Sequence, residues 1–472
     1  MIHRFKPLSE ANIAFFRALL TPKFVRLDEE SKQRYGRDET EDLYHPPEVV
    51  LLPENTNEVA AIMKYCHEQH IAVTPSGART GLSGGALPLF GGVALSLERM
   101  NRILNIDTNN LQATVEPGVI TQVFQEAVQE KGLFYPPDPS SRGSCFIGGN
   151  LAECAGGPKA LKYGVTRDYV LNLEVVLPDG KIIHTGANVL KNSTGYNLTQ
   201  LLVGSEGTLG IITRATFKLI PYPQHDLLML VPFNSAEKAC EAVSAVFRSG
   251  ITPSVLEFME RDALEWTVRF VEEVNMEIPE SVAAHLLVEV DGNNPEVLMQ
   301  ECEKIAAVME DHECGEILFA EDRLQKENLW KIRRRVGEAV KSNSIYKEED
   351  TVVPRYELPK LLKKVKELGS AYGFQSVCYG HAGDGNLHVN IIKGDLSDKA
   401  WNEDVTEGIR ELFSYVKSLG GTISGEHGIG LVQKDYMDIV FQPHELQLMK
   451  HIKQVFDPKG ILNPGKVFPT ES

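Results

Sequence analysis

Apolar and polar residues alternate along this chain in short blocks, and the period changes from block to block. In PENTNEVAAIMKYCHEQH the apolar positions fall at helical spacing behind Asn55, with Glu58 three residues on, which predicts a helix capped by Asn55. IAVTP and GGVALSLERM predict strands, with a glycine-rich loop between them. YVLNLEVVLPDGKIIHTG turns at Pro178, Asp179 and Gly180 and predicts a hairpin, and GTLGIITRATFKLIP predicts a further strand. The first forty residues are polar and helical in pattern. After the proline-rich IPYPQHD the rhythm becomes helix, strand, helix in SAEKACEAVSAVFRSG, AHLLVEVDG and PEVLMQECEKIAAVMED, with few glycines. The pattern predicts an α+β chain: a helical segment at 1–42, a first domain at 43–223, a second α+β domain at 224–420 and a glycine-rich segment at 421–472.

The loop PSGARTGLSGG brings Gly77, Arg79, Thr80, Gly81, Ser83, Gly84 and Gly85 together. Glycines let successive backbone N–H groups form a nest for phosphate oxygens, with the Thr80 and Ser83 hydroxyls beside it. Neither G-x-G-x-x-G nor G-x-x-x-x-G-K-[ST] occurs, so the Rossmann fingerprint and the P-loop are both absent. The loop leads into a strand, so no helix N-terminus faces the phosphates. Two further glycine-rich stretches are PPDPSSRGSCFIGGNLAECAGG, Pro136 to Gly157, and NSTGYNLTQLLVGSEGTLGIIT, Asn192 to Thr213. The first of these carries little charge and suits a flat neutral ring with a hydroxylated tail. One such loop is ordinarily a surface turn; three before residue 215 argue for a bound dinucleotide.

The 472 residues are 42% hydrophobic and 24% charged, as in soluble globular proteins of two or three domains. A net charge of −17 argues against nucleic acid as a partner, while local arginines can still attract a small acid. The seven cysteines form no Cys-x-x-Cys pair and fit a reducing compartment, taken as the cytoplasm, with peripheral membrane attachment left open. MIHRFKPLSEANIAFF shows no signal-peptide pattern, and no apolar run is long enough to span a bilayer.

In YGHAGDGNLHVN, His381 and His388 flank a Gly383-Asp384-Gly385 bend. Strand alternation puts His388 and Asn390 on one face, and the bend lets His381 join them. Glu426, in SGEHGIG, offers a third ligand. Two imidazoles and a carboxylate suit a divalent metal with open positions, against the bland reading of two core histidines and a solvated Glu-His pair.

Together, PSGARTGLSGG, GSCFIGGNLAECAGGPKALKYG, GSEGTLGIIT, GHAGDGNLHVN, SGEHGIG and FDPKGILNPGK resemble the FAD-linked D-2-hydroxyacid dehydrogenases. That group includes the glycolate oxidase flavoprotein subunit, D-lactate dehydrogenases and D-2-hydroxyglutarate dehydrogenase, within the vanillyl-alcohol-oxidase-like superfamily. Each motif alone is weakly specific; six in the family's order, from about residue 43 to 468, are strongly so. The resemblance implies a two-subdomain FAD-binding domain, an α+β cap domain and a C-terminal segment returning to the flavin. It implies that Pro75, Ser76, Gly77, Ala78, Arg79, Thr80 and Gly81 wrap the pyrophosphate, with Ser83 beside them. Pro137, Gly143, Ser144, Ile147, Gly148 and Asn150 would line the flavin and ribityl chain, with Glu206, Ile211 and Asn463 closing the site. Cys145 lies in the flavin segment, but the family type binds FAD without a covalent bond.

The resemblance also implies zinc at His381, His388 and Glu426. His427 would then accept the hydroxyl proton of a 2-hydroxy acid, or merely orient Glu426. Arg333 and Lys347 match carboxylate-binding positions, and Asn390 joins them as a substrate contact. Gly337 departs from the threonine of the D-2-hydroxyglutarate branch, which leaves lactate and glycolate open. The expected activity is oxidation of a D-2-hydroxy acid by hydride transfer to FAD. A quinone, an electron-transfer flavoprotein or a cytochrome would take the electrons, and a homodimer or a subunit of an oxidase complex would each fit. The competing readings are a zinc hydrolase and a non-catalytic FAD-binding subunit.

Overall fold

The computed structural model describes residues 5–40, 43–272, 274 and 276–470. The chain forms two compact units. One contains Met1–Gly156, Val165–Tyr222 and Glu426–Ser472; the other contains Gly157–Gly164 and Pro223–Gly425.

The first unit is built on two sheets. β1 (Val25–Arg26), β2 (Val49–Leu51), β3 (Val73–Ser76) and β4 (Val93–Ser96) lie in the order β1-β2-β4-β3, with β2 and β3 parallel to β4. Parallel neighbours need a crossover, and the helix Thr56–Gln69 supplies it between β2 and β3. Asn55 caps that helix as expected, its side chain accepting the Glu58 N–H at 3.0 Å. β5 (Ile103–Asp107), β6 (Gln112–Val115), β8 (Val170–Val176), β9 (Ile182–His184) and β10 (Ile211–Lys218) form an antiparallel sheet ordered β5-β6-β10-β8-β9. Between them β7 (Leu133–Phe134) pairs with β11 (Ile220–Pro221). The β8–β9 hairpin closes where the Pro-Asp-Gly turn was expected, with the Leu177 N–H donating to Lys181 O at 2.8 Å.

Both chain ends enter the first sheet's core. Phe16 and Leu20 pack with Val49, Leu51, Val73 and Val93, so the N-terminal helical segment belongs to this unit. Ile461 and Leu462 join the same cluster. The Val73 N–H donates to Ile461 O at 2.8 Å, and the Asn463 N–H donates to Val73 O at 2.7 Å. The segment after Gly425 is thereby hydrogen-bonded to β3, the strand that ends in Pro75 and Ser76.

The second unit is one seven-stranded sheet. Its strands are β12 (His225–Phe233), β13 (Val255–Glu260), β14 (Ala284–Gly292), β15 (Leu318–Phe319), β16 (Tyr346–Val352), β17 (Gln375–Gly380) and β18 (Asn386–Ile392). They are antiparallel throughout, in the order β15-β12-β14-β13-β17-β18-β16. The helices Arg261–Phe270, Arg323–Arg334 and Val336–Asn343 cover the face carrying Leu228, Met259, Leu287 and Val377. The helices Ala236–Arg248, Pro295–Asp311, Leu358–Tyr372 and Val405–Ser418 also pack around this sheet.

A short excursion, Gly157–Gly164, leaves the first unit's stretch of sequence and packs in the second unit, which the sequence pattern did not foretell. Lys159 pairs with Glu289 and, at 3.1 Å, with Asp291. Lys162 and Tyr163 each reach Asp291 at 2.7 Å. Leu161 packs so closely on Gly383 that a Cβ there would lie 2.4 Å from its Cδ2.

Lys159→Met is expected to destabilise the second unit by about 3 kcal/mol, because it leaves Glu289 charged in a site closed to solvent. Lys162→Met, whose ammonium is more exposed and whose partner keeps Lys159, should cost about 1 kcal/mol or less. Urea unfolding of the two variants checks the contrast.

Candidate active site

β17 ends at Gly380, whose φ of +156° starts the bend after Tyr379. His381 follows, then the turn Ala382–Asp384, then Gly385 at φ +79°. A Cβ on Gly385 would lie 1.9 Å from Val353 O, so only glycine turns the chain into β18 here. The bend brings both imidazoles to one face, buried, with ring centroids 5.5 Å apart and planes at 80°.

Residues directly opposite in an antiparallel ladder point to the same side. Asp350 and Tyr379 stand opposite His388, and Glu348 stands opposite Asn390. Met259 stands opposite Tyr379, which puts Glu257, two residues earlier, on this face as well. The face therefore carries Glu257, Glu348, Asp350, Tyr379, His388 and Asn390, with His381 turned in beside them.

Glu257 organises this face. Its carboxylate is 2.9 Å from His381 Nδ1 and 2.5 Å from Arg333 Nη2. Burial alone would raise its pKa, but Arg333 and His381 outweigh burial and hold it below the usual carboxylate range. The contact with Glu257 marks Nδ1 as the His381 ring nitrogen that donates to that carboxylate. Arg333 is 3% exposed, and its guanidinium lies 5.1 Å from the Tyr379 ring centroid. Its Nε has no hydrogen-bond partner. Asn390 donates through Nδ2 to Val377 O at 3.2 Å, while its sealed Oδ1 has no donor. Among the described residues, Arg333 Nε as donor and Asn390 Oδ1 as acceptor thus stand without a hydrogen-bond partner on the same face.

Asp350 accepts from Asn386 Nδ2 at 2.7 Å, Ser424 Oγ at 3.1 Å and the Gly425 N–H at 2.8 Å. Ser424 and Gly425 directly precede Glu426 and His427 in the chain.

Lys347 departs from its sequence-based placement. It stands opposite Ile391, on the other face of β16, and its ammonium donates to Trp401 O at 2.9 Å. Strand alternation puts Glu348 in the inward place instead. Glu257, Glu348, Asp350 and Tyr379 went unnoticed in the sequence. The acidic run KEED on a strand neighbouring "NLHVN" was the available signal, but which acids face inward depends on register.

In the first unit, Pro75 and Ser76 end β3, and Gly77 to Gly81 form the loop beyond it. Among the described residues, the N–H groups of Ala78, Arg79, Thr80 and Gly81 meet no acceptor. A Cβ on Gly81 or Gly149 would meet nothing within 4 Å, which leaves open space along the loop. Arg79, at φ +63°, lays its guanidinium on the Tyr35 ring at 4.2 Å. Ser83 is buried, and its carbonyl accepts the Leu431 N–H at 2.8 Å.

Pro137 O accepts from Gln125 Nε2 at 2.8 Å, and Gly143 and Ser144 lie in the turn leading to the helix Ile147–Glu153. Gly148 passes so close to Pro117 that a Cβ would lie 2.7 Å from its Cβ. Asn150 donates to Thr121 Oγ1 at 2.5 Å, and Thr121 Oγ1 is 3.3 Å from Cys145 Sγ. Burial raises the Cys145 thiol pKa, so it stays protonated. Ile211 opens β10 opposite Val176.

Glu206 is a structural anchor. Its carboxylate accepts the Ile429 N–H at 2.8 Å and the Gly430 N–H at 2.6 Å. Its carbonyl accepts from Asn463 Nδ2 at 2.9 Å, and the same amide reaches Gly85 O at 3.0 Å. It therefore fixes HGIG, two residues beyond His427. Glu153 lies beneath the same turn: a Cβ on Gly428 would be 2.1 Å from its Oε2, which is sealed and without a partner. Burial, then the charges of Glu206 and Asp38, push the Glu153 carboxyl well above the usual range. Lys466 Nζ donates to Leu87 O at 2.5 Å, and burial lowers its pKa to about 8.

Residues 47–186 match the FAD binding domain, and residues 222–467 match the domain described as FAD linked oxidases, C-terminal domain. The chain belongs to the FAD-linked oxidases. Among the relatives of this FAD-linked oxidase is the glycolate oxidase subunit GlcD of Bacillus subtilis (strain 168), 40% identical over 93% of this chain and 92% of the relative. A D-lactate dehydrogenase of Anaerostipes hadrus is 38% identical over 95% of each chain. Among solved structures, p-cresol methylhydroxylase with substrate bound superposes with a TM-score of 0.80 over 98% of each chain, at 19% identity, which is a likeness of fold. The fold is thus the α+β flavoprotein fold of the vanillyl-alcohol-oxidase type. The unpaired N–H groups at 78–81 and the open space at Gly81 and Gly149 fit an FAD pyrophosphate.

The Glu153 carboxyl gives the FAD-linked oxidase a pH signature. Its folded pKa lies above the unfolded value of 4.5, so the proton it retains contributes stability fully below that pH and loses it as pH rises toward the folded value. Glu153→Gln cannot ionise and should gain melting temperature on the wild type between about pH 5 and about pH 8. Equal differences at both pH values would show that Glu153 titrates normally.

Proposed function

We propose that this FAD-linked oxidase converts a D-2-hydroxy acid of the D-lactate, glycolate or D-2-hydroxyglutarate class to the 2-oxo acid. The observation that carries this reading is the buried pair of unsatisfied groups beside His381 and His388: Arg333 Nε as donor and Asn390 Oδ1 as acceptor. A carboxylate answers the first, and a hydroxyl answers the second. The relatives named glycolate oxidase and D-lactate dehydrogenase carry names of acids that have both groups.

Bound FAD would supply the hydride acceptor. A divalent cation, zinc being the ion this donor set suits, would supply Lewis acidity that lowers the hydroxyl pKa. His381 and His388 would hold that cation, with Glu426 as third ligand, since Gly425 is fixed on Asp350 one peptide away. Two imidazoles fit such an ion, because Glu257 orients one ring through Nδ1 and both rings lie buried and close.

Arg333 binds the substrate carboxylate and stays aligned through Glu257. Asn390 orients the hydroxyl. His427 accepts the hydroxyl proton as C2 gives up its hydride. Cys145, buried and protonated, forms no bond to the flavin, so FAD is held without a covalent link. Electrons then pass to a quinone, an electron-transfer flavoprotein or a cytochrome, within a complex if this chain is a subunit as its GlcD relative is named. No helix among the described residues is long and apolar enough to cross a membrane.

Anaerobic mixing with D-lactate, glycolate and D-2-hydroxyglutarate tests the reading: at least one should bleach the flavin. Chelation should stop bleaching while FAD stays bound, and acid precipitation should release all the FAD. His427→Ala should slow flavin reduction by roughly two to four orders of magnitude and leave the protein yellow. Bleaching by no 2-hydroxy acid would remove the proposal. Wild-type bleaching in the His427 variant would remove His427 as base.

A further inference from the structure

The edge of a sheet is a row of backbone donors and acceptors that another strand can answer, and folded chains blunt it with charge, a bulge or a cover. In the four-stranded sheet, β3 is covered by residues 461–463, and β1 is only two residues long. In the five-stranded sheet, β5 slips register between Ile103 and Asn105 and ends in Asp107. In the seven-stranded sheet, β15 lies between Glu316 and Glu321, and β16 carries Lys347, Glu348, Glu349 and Asp350. The remaining edge, β9, has none of these devices. It pairs with β8 in unbroken register, Glu174 opposite His184 and Val176 opposite Ile182. Leu173 and Leu177 bond Thr185 and Lys181, so the odd-numbered residues of β9 turn their N–H and C=O groups toward β8. Those of Ile182 and His184 point outward and, among the described residues, meet no partner. Both side chains are exposed. The surface beside this edge is apolar. Residues 186–197 leave the end of β9 and return to it, where Thr199 Oγ1 lies 2.7 Å from Thr185 Oγ1. They present Val189, Leu190 and Tyr196, the last two 75% and 95% exposed. From Lys181 to Ser205 there is no aspartate or glutamate, in a chain that has 65 and a net charge of −17. The acids of the adjoining hairpin are answered, Asp179 by Lys181 at 2.7 Å and Glu174 by Arg214 at 3.5 Å.

We propose that β9 is the contact strand of a homodimer, pairing antiparallel with β9 of a second copy about a two-fold axis at Ile183. Two chains of this charge repel over most of their surface, so they meet where acid is absent. The edge is also self-complementary, as an isologous contact requires. With Ile183 on the axis, the outward groups of Ile182 face those of His184 of the second copy, and the reverse. Every outward donor and acceptor of the strand is then answered. A three-residue edge alone buries too little, since a stable interface takes about 800 Å² from each partner. Val189, Leu190 and Tyr196 supply the apolar anchors beside it. This contact does not depend on which acid the enzyme oxidises.

Analytical ultracentrifugation of the FAD-loaded full chain across micromolar concentrations tests the contact, beside Tyr196→Ala, Ile182→Pro and Ile183→Cys. The wild type should sediment as a dimer. Tyr196→Ala should weaken dimerisation by roughly tenfold or more, as the loss of an aromatic anchor does. Ile182→Pro removes an outward N–H and none that the β8 ladder uses, and should weaken it likewise. Ile183→Cys should give a disulfide-linked dimer on oxidation, because residues facing across the axis have Cα atoms about 4.5 Å apart. Lys181→Cys, off the axis on both copies, should not. The native cysteines are buried or half-buried, which keeps the background of that cross-link low. A wild type that stays monomeric overturns the proposal. So does a dimer that survives both Tyr196→Ala and Ile182→Pro and that Ile183→Cys does not link. A monomer that binds phosphatidylglycerol vesicles, and loses them in Tyr196→Ala, gives this face to a lipid surface and overturns the dimer too. Tyr196→Ala that loses its FAD yet stays dimeric gives the loop to the cofactor and overturns its place in the interface. Where Ile182→Pro fails to fold, Tyr196→Ala and the cross-link decide.

Discussion

A buried carboxylate has to be neutralised where it stands, and in the second unit that carboxylate is Glu257 on the central strand of the sheet. Arg333 and His381 both reach it and hold its pKa below the usual carboxylate range against the effect of burial. This single requirement orders much of the face. It draws the arginine-bearing helix Arg323–Arg334 down onto the sheet, and it fixes the ring orientation and tautomer of His381. It also determines how much positive charge remains for anything that binds. A guanidinium already half-answered by a carboxylate can still take one more anion.

Backbone constraints do comparable work with less chemistry. Gly385 cannot carry a Cβ because Val353 O occupies its place, and the bend it permits lets histidines seven residues apart share a face. In the first unit, Gly428 and Gly430 admit the close approach of Glu153 and Ser83. Glu206 then ties down the same turn through two backbone N–H groups. The segment bearing Glu426 and His427 is consequently gripped on both flanks: Ser424 and Gly425 by Asp350, Ile429 and Gly430 by Glu206.

The architecture was largely legible from local pattern. The Asn55 cap, the strand after the glycine loop and the Pro-Asp-Gly hairpin all correspond to observed elements. Each rests on interactions between residues close in sequence. Two features did not follow: the excursion Gly157–Gly164 and the packing of Phe16 and Leu20 in the first sheet's core. Neither has a local signature, because each is stabilised by partners distant in sequence, such as Asp291 for Lys162.

The sequence by itself carried the family resemblance in the order of its motifs, and backbone freedom at the glycines and strand alternation made the convergence of His381 with His388 readable. Only the tertiary structure decided which acids and bases share the face with them. Whether Lys347 or Glu348 points inward turns on a one-residue difference in register, and register is set by the pairing of β16 with β18, not by the run KEED itself. A side chain one position along a strand lies on the opposite side of the sheet, and here that step replaces an ammonium with a carboxylate.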